Sequence, residues 1–162
     1  MNKNKILLTA FRGSSAEQLL KYANGFEKLI LPNDKVDDAE KLKQAISKMN
    51  YDFVVSLGQR PNIKNKLHIE MTAKSGDIHI NTDFDCERLK VLFEQNGIDT
   101  KISHNAGTSY CNSLFYNGMD YIKSSKIETQ MVFVHIPLLK NIDDSEMFFQ
   151  KIMGSISKIV EA

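Results

Sequence analysis

What this chain has little of narrows the reading first. Over 162 residues the formal net charge is only +1. That offers no basic surface for nucleic acid and no attraction to an anionic membrane. Long apolar runs are missing as well. Stretches such as Phe53–Leu57 fall far short of the roughly 20 residues a membrane helix requires. The start, "MNKNKILLTAF", is basic and then apolar, like a signal peptide. The apolar part, Ile6–Phe11, is too short for that role, and Arg12 interrupts it. It is read as the first strand of a cytoplasmic protein. The only cysteines are Cys86 and Cys111; with no export signal they are expected to be free thiols. No Cys or His pair has the spacing of a zinc site. His68 and Glu70 share a strand face, and with His79 they make a weak metal-ligand pattern. No metal or other cofactor is expected. Repeats, low-complexity segments and linkers are absent too. With 42% hydrophobic and 25% charged residues, the composition is that of a globular protein, read as one domain over 1–162.

What is present is an alternation of short apolar runs with longer amphipathic ones. Lys5–Thr9 is of β type. "SSAEQLLKYANGF" has helical spacing, with a capping box at Ser14 and Glu17 or at Ser15 and Gln18. Lys28–Leu31 is a strand stopped by Pro32. Asp37–Met49 reads as a helix with Ala39, Leu42, Ala45, Ile46 and Met49 on one face. "DFVVSLG" is a buried strand. Leu67–Ala73 and Asp77–Ile80 read as strands joined at "KSGD". A helix over Cys86–Gln95 ends at Asn96-Gly97. Thr100–Ser103 is a strand. Gly107 and Thr108 open a helix through Cys111, Leu114 and Phe115. "QMVFVHIP" is a strand ended by Pro137, and Asp143–Val160 is amphipathic. Such alternation predicts an α/β sandwich with a largely parallel sheet. Functional groups in these sheets gather at the carboxyl ends of strands, where Gly58, Cys111 and His135 fall.

Three side chains could do chemistry together. Cys111 follows the small-residue turn "NAGT", whose backbone N–H groups suit an oxyanion. A lone helical cysteine is ordinarily just a buried thiol. If Cys111 is paired with His135, its thiolate should persist below the free-thiol pKa of about 8.5. Cys86 is the poorer nucleophile, because Asp83, Asp85 and Glu87 surround it. His135 lies near the end of an apolar strand. It is either a satisfied core residue or a general base at the sheet rim. Glu70, within "LHIEMTA", is either one residue on a solvent-facing face or the group that orients the imidazole.

These segments resemble one family in order along most of the chain. "NAGTSYCNSLFY" resembles the nucleophile motif of the pyroglutamyl peptidases, and "FVHIPLL" resembles their histidine motif. Cys111 and His135 lie 24 residues apart, which agrees with that family. "VSLGQRP" and "IEMTA" resemble its Gly-Gln segment and catalytic glutamate, and "KILLTAFRG" its opening strand. The resemblance implies a three-layer α/β/α sandwich, phosphorylase/hydrolase-like, around a mostly parallel or mixed sheet. It implies a cysteine peptidase that removes an N-terminal 5-oxoproline through an acyl-enzyme. Cys111 would be the nucleophile, His135 the base and Glu70 its orienting group. Phe11 would form one wall of the pocket, and Gln59 would line it. A small peptide or amide substrate, a cytoplasmic location and a homo-oligomer are implied, with no cofactor. Two readings stand beside this one: the same machinery acting on another small acyl or cyclic amide, and a relative without catalysis that serves as a binding module.

The sequence also departs from the family. After Phe11 the family's Pro-Phe-Gly-Gly becomes "RGSSA", so the second aromatic wall is expected to be missing unless Phe26 or a partner subunit supplies it. Weak binding of pyroglutamyl amides is the consequence. The double glycine ahead of the glutamate becomes "RPNIKNK". "IHINTD" stands where the family has Ala-Arg-Ile-Pro-Asp-Asn, which puts His79 in place of the arginine beside the oxyanion.

Overall fold

The computed structural model describes residues 5–160, so the basic start Met1–Asn4 lies outside the described residues. Among the described residues eight strands are formed: β1 (Ile6–Phe11), β2 (Glu27–Leu31), β3 (Phe53–Arg60), β4 (Lys66–Glu70), β5 (Thr72–Ser75), β6 (Ile78–Asn81), β7 (Asp99–Ser103) and β8 (Gln130–Pro137). Five α-helices connect them: α1 (Ser15–Leu20), α2 (Lys35–Lys48), α3 (Cys86–Gln95), α4 (Tyr110–Ser124) and α5 (Ser145–Ser157). Six strands make one sheet in the order β2-β1-β3-β8-β4-β7. It is mixed rather than purely parallel: β4 runs antiparallel to β8, and the other neighbours run parallel. Strands β5 and β6 form a separate two-stranded hairpin.

The chain packs in three layers, because the central strands are apolar on both faces. On one face Leu8, Val55, Leu57, Leu67, Ile69, Val132 and Val134 pack with Leu19 of α1, Phe93 of α3 and Phe149 of α5. On the other, Leu7, Val54, Met131 and Phe133 meet Leu42 of α2 and Leu114, Phe115 and Met119 of α4. The second face carries the unusual side chains. Strand alternation puts Thr9, Ser56, Gly58, Arg60, His68, Glu70 and His135 on it. Thr9 and Ser56 satisfy each other by a buried hydroxyl pair at 2.7 Å.

Several element ends differ from expectation for identifiable reasons. The run Leu67–Ala73 is not one strand. It leaves the main sheet after Glu70, and Met71 N–H bonds back to the Ser103 carbonyl before Thr72 begins the hairpin. Strand β3 runs two residues past Gly58, because β8 pairs with it through Gln59↔Ile136 and Arg60↔Pro137. The α4 helix begins at Tyr110, not at Gly107, where φ is +88°. Ser14 caps α1 as expected, but the returning Glu17 carboxylate accepts from Gly13 N–H. Among the described residues no helix is long and apolar enough to cross a membrane.

Candidate active site

Register, rather than sequence proximity, assembles the centre. Gly58 of β3 pairs with His135 of β8, His135 pairs with His68 of β4, and Glu70 pairs with Phe133. Directly paired residues project to the same face. The imidazole and carboxylate therefore meet from adjacent strands, with His135 Nδ1 at 2.9 Å from Glu70 Oε1. Both are buried, His135 at 3% and Glu70 at 0% exposure. A carboxylate only accepts, so Nδ1 carries the hydrogen and the Nε2 lone pair is left as a base. The Phe133 ring packs on the imidazole at a centroid separation of 5.0 Å.

Cys111 arrives from the first turn of α4. Its Sγ lies only 2.7 Å from where a Cβ on Gly58 would sit. The thiol thus rests on the bare backbone of the residue paired with His135. Among the described residues no hydrogen bond joins Sγ to the imidazole; such contacts are commonly loose before a substrate is bound. Asn112 anchors this turn. Its side chain accepts from Lys74 N–H at 3.0 Å and donates to the Lys74 carbonyl at 2.9 Å, clamping α4 to the hairpin. The other four α-helices have side-chain caps from Ser14, Asp34, Asp85 and Asp144, whereas Ser109 makes none. The first N–H groups of α4 are therefore open to an anion beside the thiol.

Burial governs protonation here. It pushes the Cys111 thiol up to about 12, opposed by the Arg60 guanidinium, assisted by Glu70 and opposed by the thiol's own backbone N–H. Burial likewise lowers His135, against the raising effect of its Glu70 hydrogen bond and with the help of Arg60. The resting pair is therefore a neutral thiol and a neutral imidazole. A standing thiolate, expected from helix position and pairing, is disfavoured because burial outweighs them. Cys86 is buried on the opposite layer and is pushed to about 12 by burial, Asp85 and Glu87.

A cavity of about 370 Å³ opens on the thiol. Phe11, Arg12, Asn33, Gln59, Tyr110 and Cys111 help to line it. Phe11 and Gln59, both singled out by the sequence, thus share one cavity with the thiol. Gln59 is oriented: its Oε1 accepts from Ser15 N–H at 3.0 Å, which leaves its amide NH₂ to donate. A second aromatic ring lines the cavity. Tyr110 stands across from Phe11, with ring centroids 6.3 Å apart. Phe26 packs in the layer with α1 and α5, away from the cavity. His79 is exposed on β6 and is not part of the cavity lining. It pairs across the hairpin with Lys74, whose backbone Asn112 holds beside the cysteine. The metal-ligand pattern does not come together. His68 and Glu70 close around the Arg60 guanidinium, and among the described residues no cluster of three or more His, Cys, Asp or Glu is suited to a metal.

Sequence reasoning placed Gly58 at the functional end of the sheet but missed Tyr110 and Arg60 as site residues. Tyr110 was legible as the neighbour of the cysteine in "SYC". Arg60 was legible as the cation ending the "GQR" strand.

An α/β/α sandwich with a thiol, an imidazole and a carboxylate gathered on one sheet face, beside an uncapped helix start, defines a cysteine-dependent hydrolase. The sequence profile of the pyroglutamyl peptidases matches residues 70–162, more than half of the chain and inclusive of Glu70, Cys111 and His135. The chain belongs to the pyroglutamyl peptidase family, whose members are cysteine-type exopeptidases. The pyrrolidone-carboxylate peptidase of Bacillus subtilis strain 168 is 26% identical to it, over 85% of this chain and 80% of the relative. Pyrrolidone-carboxylate peptidase 2 of Caldanaerobacter subterraneus subsp. tengcongensis is 28% identical, over 83% and 82%. Among solved structures, the pyrrolidone carboxyl peptidase of Fervidobacterium islandicum AW-1 superposes with a TM-score of 0.87 over 98% of this chain and 99% of the other, at 18% identity. Pyroglutamyl peptidase I of Bacillus amyloliquefaciens gives 0.85 over 98% of each chain, at 20% identity. At those identities the structures speak for the fold.

Proposed function

We propose that this chain removes an N-terminal pyroglutamyl group from peptides, with Cys111 as nucleophile, His135 as general base and acid, and Glu70 as the group that orients the imidazole. One observation carries the reading: the His135–Glu70 contact of 2.9 Å, buried on the strand face where Cys111 Sγ rests over Gly58.

The lactam ring rests against Phe11 and Tyr110 at the cavity wall, and the Gln59 amide donates to its carbonyl. Cys111 Sγ attacks the acyl carbon while its proton passes to His135 Nε2. Nδ1–H donates to Glu70 throughout, and the carboxylate stabilises the imidazolium that forms. The oxyanion faces the open N–H groups at the start of α4. As the tetrahedral intermediate collapses, the C–N bond breaks and His135 returns the proton to the leaving amine. Water, deprotonated by the same imidazole, then hydrolyses the thioester to free pyroglutamate and thiol. Because the resting thiol is neutral, the proton transfer belongs to the attack itself.

A cytoplasmic homo-oligomer goes with this reading, and one domain accounts for the whole chain. The test is fluorophore release from pyroglutamyl-aminomethylcoumarin, with Cys111→Ala beside the parent. Release by the parent that the variant abolishes is expected. A panel of other N-acyl amides guards the substrate assignment: faster release from a non-lactam amide would transfer the chemistry to another acyl group, and no release from any amide would leave a binding module. Light scattering during size exclusion reads the assembly.

A further inference from the structure

The cation beside the catalytic groups is the least explained feature of the site. Arg60 lies at the end of β3, on the same face as Gly58, with its side chain 21% exposed. One of its nitrogens, Nη1, is 3.1 Å from Glu70 Oε1, the same oxygen that accepts from His135. Nη1 also lies 3.0 Å from His68 Nδ1. A guanidinium only donates, so His68 Nδ1 is the acceptor there and its hydrogen sits on Nε2. Nη2 donates to the Asn105 carbonyl at 2.7 Å, in the loop that leads into the nucleophile's helix. The partners come from two segments: Glu70 and His68 from β4, and Asn105 from the segment after β7. Glu70 Oε2 is buried with no hydrogen-bond partner, so the carboxylate's bonds run through the single oxygen that Arg60 and His135 share. Arg60 is not among the residues lining the substrate cavity.

We infer that Arg60 is a positioning residue for the reaction: its guanidinium pins the shared oxygen of Glu70 against His135 and ties the Asn105 loop, hence Cys111, to the same strand end. A planar fork with several fixed donors can do all of this at once, whereas an ammonium cannot hold the same geometry. The groups facing His135 are Glu70 and His68 on β4, Arg60 on β3 and Cys111 on α4; Lys66 and Lys101 in turn face His68. In that setting the Arg60 charge works on two proton sites in the same sense. It opposes protonation of His135 and favours ionisation of Cys111. Both effects leave the base free and ease departure of the thiol proton. Arg60 thus touches neither substrate nor reacting atoms, but sets the protonation and aim of those that do.

This inference rests on the proposed roles of Cys111, His135 and Glu70, so one arm of the test does without a peptide substrate. Arg60→Met, which keeps the stem and loses the charge, and Arg60→Lys, which keeps the charge, are compared with the parent. The rate of Cys111 alkylation by iodoacetamide is followed from pH 5 to 10, along with kcat and KM on pyroglutamyl-aminomethylcoumarin. For Arg60→Met we expect kcat to fall by about 10-fold to 10²-fold, at or below the roughly 10²–10⁴ contributed by a general base itself. KM should stay near the parent's, because the cavity is untouched. Removing the cation raises both the imidazole and the thiol pKa, so the acid limb of kcat/KM and the alkylation profile should both move to higher pH. Arg60→Lys should return the profiles toward the parent while kcat stays reduced. Profiles of Arg60→Met that overlay the parent's, or a rise in KM at unchanged kcat, would overturn the inference. If Arg60→Met does not fold, as read by its melting curve, Arg60→Lys decides: parent kcat there refutes the need for the fork. A parent that alkylates as described but hydrolyses no pyroglutamyl amide sinks the proposed substrate and leaves the Arg60 inference to its alkylation profile.

Discussion

Adding a single methyl group at Gly58 tests how the thiol is seated. The Gly58 backbone is not in the left-handed region, so alanine meets no conformational penalty there, only a steric one. Its Cβ would stand 2.7 Å from Cys111 Sγ and 2.7 Å from Phe133 Cζ. Ordinary contact is about 3.5–4.0 Å, so something must retreat by about 1 Å. The Phe133 ring is fully buried and packs between Phe115 and His135. The half-buried Cys111, on the cavity wall, is the softer neighbour. Displacing a reacting atom by about 1 Å costs on the order of 10²-fold in rate. Over-packing by one methylene costs about 1–3 kcal/mol, which at this chain length lowers Tm by about 2–12 °C. Gly58→Ala should therefore fold, melt slightly earlier and lose about 10² in kcat, with a smaller change in KM. Gly118→Ala is the control. Its Cβ would press on Met131 and Leu42, in the same layer but away from the thiol, so it should perturb Tm and spare kcat. Steady-state kinetics and differential scanning fluorimetry on the three proteins read both quantities. A Gly58→Ala enzyme with parental kcat would show that Sγ is not held against this strand, and the seating argument would be wrong.

Tyr110→Ala should raise KM for a pyroglutamyl amide by about 10–200-fold, the range for losing one apolar wall, with kcat less affected. His79→Ala should change neither parameter, because His79 lies outside the cavity; a clear loss of kcat in that variant would return it to the site. Iodoacetamide at pH 7 should label Cys111 well ahead of Cys86, which is 3% exposed; mass spectrometry of the digest checks this, and equal labelling counts against it. Burial holds His135 below the usual imidazole value, and only the neutral form acts as base. Activity should therefore be flat through neutrality and fall as pH drops below about 6.5; a midpoint above pH 7 in kcat/KM would contradict a resting site with neutral His135.

Much of the fold was legible because burial writes itself into residue patterns. The helix over Cys86–Gln95 matched from end to end, since Asp85 caps it and Asn96-Gly97 releases it with Gly97 at φ +79°. The strand QMVFVHIP matched for a similar reason: an apolar core run closed by proline. The split after Glu70 was not legible, because "LHIEMTA" alternates smoothly through a place where the chain changes sheets. Only the Met71 bond to Ser103 and the pairing of Thr72 with Asn81 mark it.

The same division runs through the site. Local chemistry was readable: a cysteine after a small-residue turn, a histidine two residues before a strand-ending proline, and a glutamate inside an apolar strand. Those are properties of short segments, and by itself the sequence determined which side chains were available and which end of the sheet they would occupy. What only the tertiary structure decided was which of them meet. Strand register puts Gly58 beside His135 and His68 across from it. It thereby clears room for the Cys111 sulfur and turns Arg60 onto Glu70. Packing also brings Tyr110 against Phe11 at the cavity, and hairpin pairing sets His79 opposite Lys74. The protonation of the pair follows the same logic. Helix position and pairing favour a thiolate, but burial outweighs them, and burial depends on how separate segments close over one another and not on any one of them.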